Sequence, residues 1–188
     1  MPAADRQKWD AKYADAAAAP RDPSAVLVSL ADYLPTQGRA LDIAGGAGRN
    51  ALWLTKRGLD VTIADISPIG LAVARQRSSE QGLVLHTIEI DLEQQPLELP
   101  SFDLILSVCY LWRPLFAEFP RLLNPGGILV IIQPTQRNLE RNDKPPAPYL
   151  LEEGELPRLA ASLETIHFEQ GWLADGRYDA VLIAKKCF

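Results

Sequence analysis

The amino-acid sequence predicts an α/β fold: a doubly wound, mostly parallel seven-stranded sheet whose final strand pair is antiparallel. Three observations carry that reading. From Arg39 onward, short apolar runs alternate with segments of helical spacing. Two of those runs, Leu104-Ile105-Leu106 and Ile128–Ile132, lack polar alternation, as strands covered by helices on both faces do. The last two runs follow one another with Gly171 and Asp175-Gly176 between them, turn signals that make the strands an antiparallel pair.

The elements follow in order. Trp9, Lys12, Tyr13 and Ala16 recur at helical spacing, so a helix is expected near 5–18, ended by the alanine run Ala16–Ala19 and stopped by Pro20 and Pro23. A second helix is expected at 23–34, with Val26, Leu27, Leu30 and Leu34 on its apolar face and Pro23 near its start. Strands are expected near 39–44, 60–65, 83–90, 102–108, 127–133, 163–169 and 178–185, and helices near 47–57, 67–80, 112–123 and 151–162. The Pro-rich stretch 134–148 reads as a surface loop, since strands continue after it.

Length and composition bound the function. The 188 residues fit a single domain, 1–188, in which 1–36 form a helical N-terminal extension and possible lid. With 47% hydrophobic and 23% charged residues, wholesale disorder is not expected. A net charge of −5 with no basic tract argues against a nucleic-acid partner. The apolar runs are too short to span a bilayer, and the opening MPAADRQKWDAKY has no apolar core of a secretory signal. Cys109 and Cys187 are the only cysteines, which excludes a disulfide framework and a thiolate zinc finger. His86 and His167 have no partner at metal-ligand spacing, so no metal site is expected. A cytoplasmic monomer acting on a small molecule, away from membranes, is the expectation.

The sharpest local signal is Leu41-Asp42-Ile43-Ala44-Gly45-Gly46-Ala47-Gly48-Arg49-Asn50. A strand ends, a glycine-rich turn follows, and a helix starts at once. Glycines let the backbone approach a ligand closely, and the helix start offers free N–H groups to a carboxylate or phosphate. Gly46-x-Gly48-x-x-Ala51, with Asp65 further on, satisfies a dinucleotide fingerprint. Three features weigh against that choice. Asp42 stands at the end of the first strand, where a dinucleotide fold keeps an apolar residue; Asp91 ends the third strand as another carboxylate on the same rim; and the antiparallel final pair departs from a second nucleotide-binding half.

These residues resemble the class I S-adenosylmethionine-dependent methyltransferases. That family's acidic and glycine-rich first motif is matched by Asp42 to Gly48, with Ala44 where its first glycine is expected. The second acidic motif is matched by Val61-Thr62-Ile63-Ala64-Asp65-Ile66-Ser67 and the third by Ile90-Asp91-Leu92. Phe102 to Ser107 looks like the fourth strand, and Leu122-Leu123-Asn124-Pro125-Gly126-Gly127 like the turn before the fifth. Trp9-Asp10-x-Lys12-Tyr13 and Gly48-Arg49-Asn50 look like the small tellurite-resistance-type and thiopurine-type branches. The resemblance implies a Rossmann-like methyltransferase fold and S-adenosylmethionine as cofactor, a net cation suited to a carboxylate rim.

By the same resemblance, Asp65 would accept from the ribose hydroxyls and Asp91 from the adenine amino group, while the Leu92 N–H addresses the ring and Ile66 packs on its face. Asp42 would order the methionine ammonium; Ala44, Gly46 and Gly48 would form the backbone cradle; Arg49 would reach the carboxylate; and Ser107 and Val108 would offer backbone contacts. Each acid has a plain structural alternative as a turn or helix-cap residue. Tyr110, Trp112 and Arg113 follow the fourth strand and would face the methyl group, with interfacial packing as the alternative. Trp9 and Tyr13 share a helix face and are expected to close over the methionine end. Cys109 reads as a small buried hydrophobe, and Glu152-Glu153-x-Glu155 as the acidic first turn of a helix. No residue is obliged to be a general base, and the catalytic residues stay unassigned. That silence agrees with a thiol or chalcogen anion as methyl acceptor. Two other functions stay open: an NAD(P)-dependent oxidoreductase and a non-catalytic S-adenosylmethionine-binding protein.

Overall fold

The computed structural model describes residues 3–15, 19 and 21–187. Seven strands form one sheet in the order β3-β2-β1-β4-β5-β7-β6. They are β1 (Arg39–Ile43), β2 (Asp60–Asp65), β3 (His86–Glu89), β4 (Phe102–Val108), β5 (Leu123–Pro134), β6 (Glu164–Trp172) and β7 (Tyr178–Lys185). The first five run parallel, while β7 lies antiparallel between β5 and β6. The order reverses between β1 and β4, which places a crevice at the carboxyl ends of those two strands.

Two cores sandwich the sheet, because successive side chains of a strand point to opposite faces. On one face Leu41, Ile43, Ile105, Leu129 and Ile131 meet Phe116, Phe119, Leu122 and Leu156. On the other, Ala40, Ile63, Leu104, Leu106, Val130 and Ile132 meet Leu27, Leu54 and Leu71 of the helices α2 (Ala25–Ser29), α3 (Arg49–Lys56) and α4 (Pro68–Glu80). This double burial accounts for the unalternated runs in β4 and β5.

Several elements differ from the pattern-based reading. The N-terminal helix α1 covers Ala3–Ala14. Its expected end at Ala16–Ala18 and Pro20 lies outside the described residues. The segment expected as one helix at 23–34 is α2 followed by a 3-10 turn at Ala31–Tyr33. Strand β3 is four residues long, stopping at Glu89, so Asp91 lies beyond it in a turn. Pro114 and Pro120 divide the expected 112–123 helix into a 3-10 turn at Arg113–Ala117 and α5 (Phe119–Leu122), since proline is tolerated only near a helix start. Strand β5 already begins at Leu123, with a register irregularity opposite Phe102 to Leu104 that takes up the Pro-Gly-Gly turn. The 151–162 helix shrinks to α6 (Glu155–Leu159). The 134–148 loop carries 3-10 turns at Gln136–Glu140 and Ala147–Tyr149, and it is pinned through buried Asn138, whose side chain donates to the Lys144 carbonyl at 2.9 Å.

Candidate active site

The β1–α3 turn brings the glycines to the crevice. Gly46 has φ +53, a left-handed conformation that costs glycine little, and a Cβ there would lie 2.0 Å from the Tyr13 hydroxyl. At Gly45 a Cβ would lie 2.6 Å from a carboxylate oxygen of Asp42, so its absence lets the acid lie against the turn. Ala44 is also left-handed, φ 52, which strains a residue with a side chain; this is the position where the resemblance expects glycine.

A cleft of about 210 Å³ opens over this turn. Its floor and turn wall come from Asp42, Ala44, Gly45, Ala47 and Gly48, with Arg49 and Asn50 from the first turn of α3. Asp65, Ile66, Ile90 and Leu92 line it from the ends of β2 and β3, and Val108, Cys109 and Tyr110 from the end of β4. Trp9, Lys12 and Tyr13 of α1 cover it. Elements separated by up to about a hundred residues of chain therefore converge at the switch point of the sheet.

The floor is acidic and buried. Asp42 is 1% exposed, and its Oδ2 has no hydrogen-bond partner among the described residues. Burial, reinforced by the charge of Asp65, pushes its carboxyl up to about 7, against Arg49 and the Ala51 N–H, which act in the other direction. Asp65 is also pushed up by burial, but less freely, because backbone N–H groups hold it. Its Oδ2 accepts from Gly46 N–H and its Oδ1 from Ser67 N–H, both at 2.8 Å, so it ties the glycine turn to the start of α4. The structural alternative for Asp65 is thus present in the fold, and the residue also lines the cleft.

Helix α1 is docked over this floor. The Ser67 hydroxyl donates to Asp10 at 2.5 Å while accepting from Gly70 N–H at 3.0 Å. Arg6 pairs with Glu89. The Tyr13 ring sits so close to Gly70 that a Cβ there would meet it at 2.8 Å. Trp9 stacks on Tyr13 with centroids 6.0 Å apart, and the Lys12 ammonium lies 4.4 Å from the Trp9 ring centre. Burial and the two aspartates raise the Tyr13 phenol; burial, Glu93, Asp91 and Asp65 raise that of Tyr110. Both phenols are neutral at ordinary pH.

The other residues singled out in the sequence fall in different places. The Asp91 carboxylate caps its own turn, accepting from Glu93 N–H at 3.0 Å, and does not line the cleft, although its neighbours Ile90 and Leu92 do. Ser107 is buried with its hydroxyl on the Tyr110 carbonyl at 3.2 Å. Trp112 packs against the core. Arg113 is turned away from the cleft: its Nε and Nη2 grip Glu155 at 2.5 and 2.9 Å, anchoring α6. Glu155 is therefore a buried ion-pair partner rather than a plain first-turn acid. Asn50 fixes the loop across the chain, accepting from Ser24 N–H at 2.9 Å. Cys109 differs most from expectation. It is exposed at the cleft mouth with φ 58, and Arg177 Nη1 reaches its Sγ at 2.8 Å. Lys12 stands in the Trp9-Asp10-x-Lys12-Tyr13 motif without a role assigned from it, and Arg177, which reaches the mouth only through tertiary folding, carries no site signal in the sequence.

A doubly wound sheet with a glycine turn after β1 and acids at the ends of β1 and β2 defines a Rossmann-like, nucleoside-binding architecture. Residues 40–127 match the family model described as a methyltransferase domain. The matched segment, just under half of the chain, is similar to class I S-adenosylmethionine-dependent methyltransferase domains, whose cofactor is S-adenosylmethionine. Demethylmenaquinone methyltransferase of Thermus thermophilus is 35% identical over 104 residues, 50% of this chain and 46% of that protein. The chain thus spans about half the length of the curated relatives it matches. Among solved structures, TehB from Haemophilus influenzae superposes with a TM-score of 0.71 at 22% identity, over 86% of this chain and 61% of that one. A TehB-like S-adenosylmethionine-dependent methyltransferase from Corynebacterium glutamicum gives 0.68 at 23%, over 97% and 98%. At these identities the likeness is one of fold.

Proposed function

We propose that this chain moves the methyl group of S-adenosylmethionine to a small-molecule nucleophile. The observation that carries the reading is Asp42: a buried carboxylate oxygen without a partner, on the floor of a cleft beside a second acid. Such a floor favours a cation and repels a pyrophosphate, which disfavours the oxidoreductase reading. The residues present fit the cofactor. Asp42 would take its ammonium, Asp65 its ribose hydroxyls through the remaining lone pairs, and Arg49, which has no ion pair among the described residues, its carboxylate. Ile66, Ile90 and Leu92 supply an apolar slot for the adenine, and the Asp91 carboxylate, engaged in its own turn, would reach the amino group only by turning toward the cleft. Val108 and the Ser107 backbone flank the methionine end.

The cofactor supplies a methyl group on a sulfonium, open to in-line displacement. The chain's part is to align and to dry the site. Trp9 and Tyr13 cover the cleft, and alignment alone supplies on the order of 7–11 kcal/mol in well-oriented systems. With both phenols neutral, the cleft offers no tyrosinate as base. An acceptor that is already an anion, a thiolate or a heavier chalcogen, needs none. We read the protein as a cytoplasmic monomer with no nucleic-acid partner; among the described residues no helix is long and apolar enough to cross a membrane. Transfer of labelled methyl from S-adenosylmethionine should be measured against a panel of thiols, halides, tellurite and arsenite. Turnover of a soft anion is expected. Tight binding of adenosylhomocysteine with no transfer to any acceptor would favour a non-catalytic binding protein.

A further inference from the structure

The cleft has a basic mouth above its acidic floor. Lys12 and Arg49 line it, and neither has an ion pair among the described residues. Arg177 arrives from the turn between β6 and β7 and stops at the Cys109 sulfur. The charges felt at that sulfur are those of Arg177, Asp179, Arg49 and Lys12. Asp175 and Asp179 offset part of the Arg177 charge and orient its guanidinium. They lie 3.1 Å from Arg177 Nε and Nη2, which leaves Nη1 directed at the cleft. Among the described residues it meets there the Cys109 thiol, a weak acceptor. A carboxylate or similar oxyanion would accept far more strongly. Opposite, Trp9 holds the Lys12 ammonium over its ring, a placement that restrains a cation without neutralising it. Cys109 itself is held in a left-handed conformation by β4–β5 pairing, its N–H on the Ile132 carbonyl at 2.9 Å.

We propose that Arg177 and Lys12 bind the methyl acceptor, and that the acceptor carries an anionic group, a carboxylate or another oxyanion, which docks between them beside Cys109. The inference rests on the methyl-transfer reading of the cleft and deepens it. Arg49 is left to the cofactor, so the two anions have separate cations. The two residues grip the acceptor in ground and transition state alike, and act on its affinity.

Cys109 is a built-in probe of this subsite. Iodoacetate carries a carboxylate next to its reacting carbon, whereas iodoacetamide is its neutral counterpart. The ratio of their alkylation rates cancels the thiolate fraction and reports only attraction for the anion. Cys187, exposed and 3.9 Å from a Glu164 carboxylate oxygen, is the internal control. On the full chain loaded with adenosylhomocysteine, the iodoacetate-to-iodoacetamide ratio at Cys109, read by peptide mass spectrometry, should exceed that at Cys187 by about fivefold. Arg177→Gln and Lys12→Gln should each lower it by about twofold or more. Because Arg177→Gln also leaves Asp179 unpaired, Lys12→Gln keeps the test decisive if the first variant is unstable. A Cys109 ratio no higher than that of Cys187, or one unchanged by Lys12→Gln, would overturn the proposal. Calorimetry on the same sample separates the two readings: no heat with adenosylhomocysteine removes the methyl-transfer reading and the acceptor role with it, whereas normal heat with a flat ratio removes the anion subsite alone.

Discussion

At pH 8 the Asp42 carboxylate is charged inside the protein with one oxygen unsatisfied, which opposes folding and favours a cationic ligand. The sign follows from its carboxyl, raised from 3.8 to about 7. Its stabilising contribution to the free protein is full below the unfolded value near 3.8 and is lost as pH rises through about 7. Binding of an ammonium needs the ionised form, so affinity should move the opposite way. Adenosylhomocysteine should bind about tenfold more weakly at pH 6 than at pH 8. Asp42→Asn should flatten that profile, bind about tenfold more weakly at pH 8, and melt higher than the parent protein at pH 8 when both are free of ligand. Titrations at the two pH values and thermal melts check all three; a steep profile retained by Asp42→Asn would assign the proton elsewhere. At this scale the sequence was informative where the signal is local. Asp42, Asp65 and Arg49 stand in or next to strand–turn–helix joints, and all three line the cleft. Arg113 could not be placed from its neighbours, because its partner Glu155 lies 42 residues away. Cys109 is likewise not legible from its neighbours: it is exposed, with a left-handed backbone angle and an Arg177 partner 68 residues away.

Among the elements, α1 has the least support of its own. Its twelve residues pack mainly on α4, through Tyr13 on Gly70 and the Asp10–Ser67 hydrogen bond, and an isolated helix of that length is marginal in water. The same residues line the cleft, and we propose that this docking loosens when a ligand enters. We expect the α1 amides to exchange quickly in the free protein and to become protected when adenosylhomocysteine binds. Equal protection in both states would make α1 a static cover. Strand periods gave the sheet elements to within a few residues, since burial on two faces leaves long apolar runs. Helix lengths were less legible: Pro114, Pro120 and Pro157 each sit where a continuous helical spacing would otherwise extend, and turn the expected segments into short or 3-10 pieces.

For the whole molecule, the informative feature is how one sheet reversal gathers the site. The β1 and β4 carboxyl ends open side by side, β2 and β3 extend the crevice in one direction, and the β5–β7 pair extends it in the other, carrying Arg177 within reach. The antiparallel end of the sheet was readable from the turn signals before β7. That it would deliver a cation to the mouth was not, because this depends on the register that sets Pro134 opposite Asp179. The glycine turn with Asp65 suits two cofactors of opposite charge, and the buried acid Asp42 favours the cationic one. The most direct test is therefore a paired calorimetric titration of the full chain at pH 8 with adenosylhomocysteine and with NADH. Saturable one-to-one binding of adenosylhomocysteine, with no heat from NADH, is the predicted result; binding of NADH in preference to adenosylhomocysteine would contradict the account.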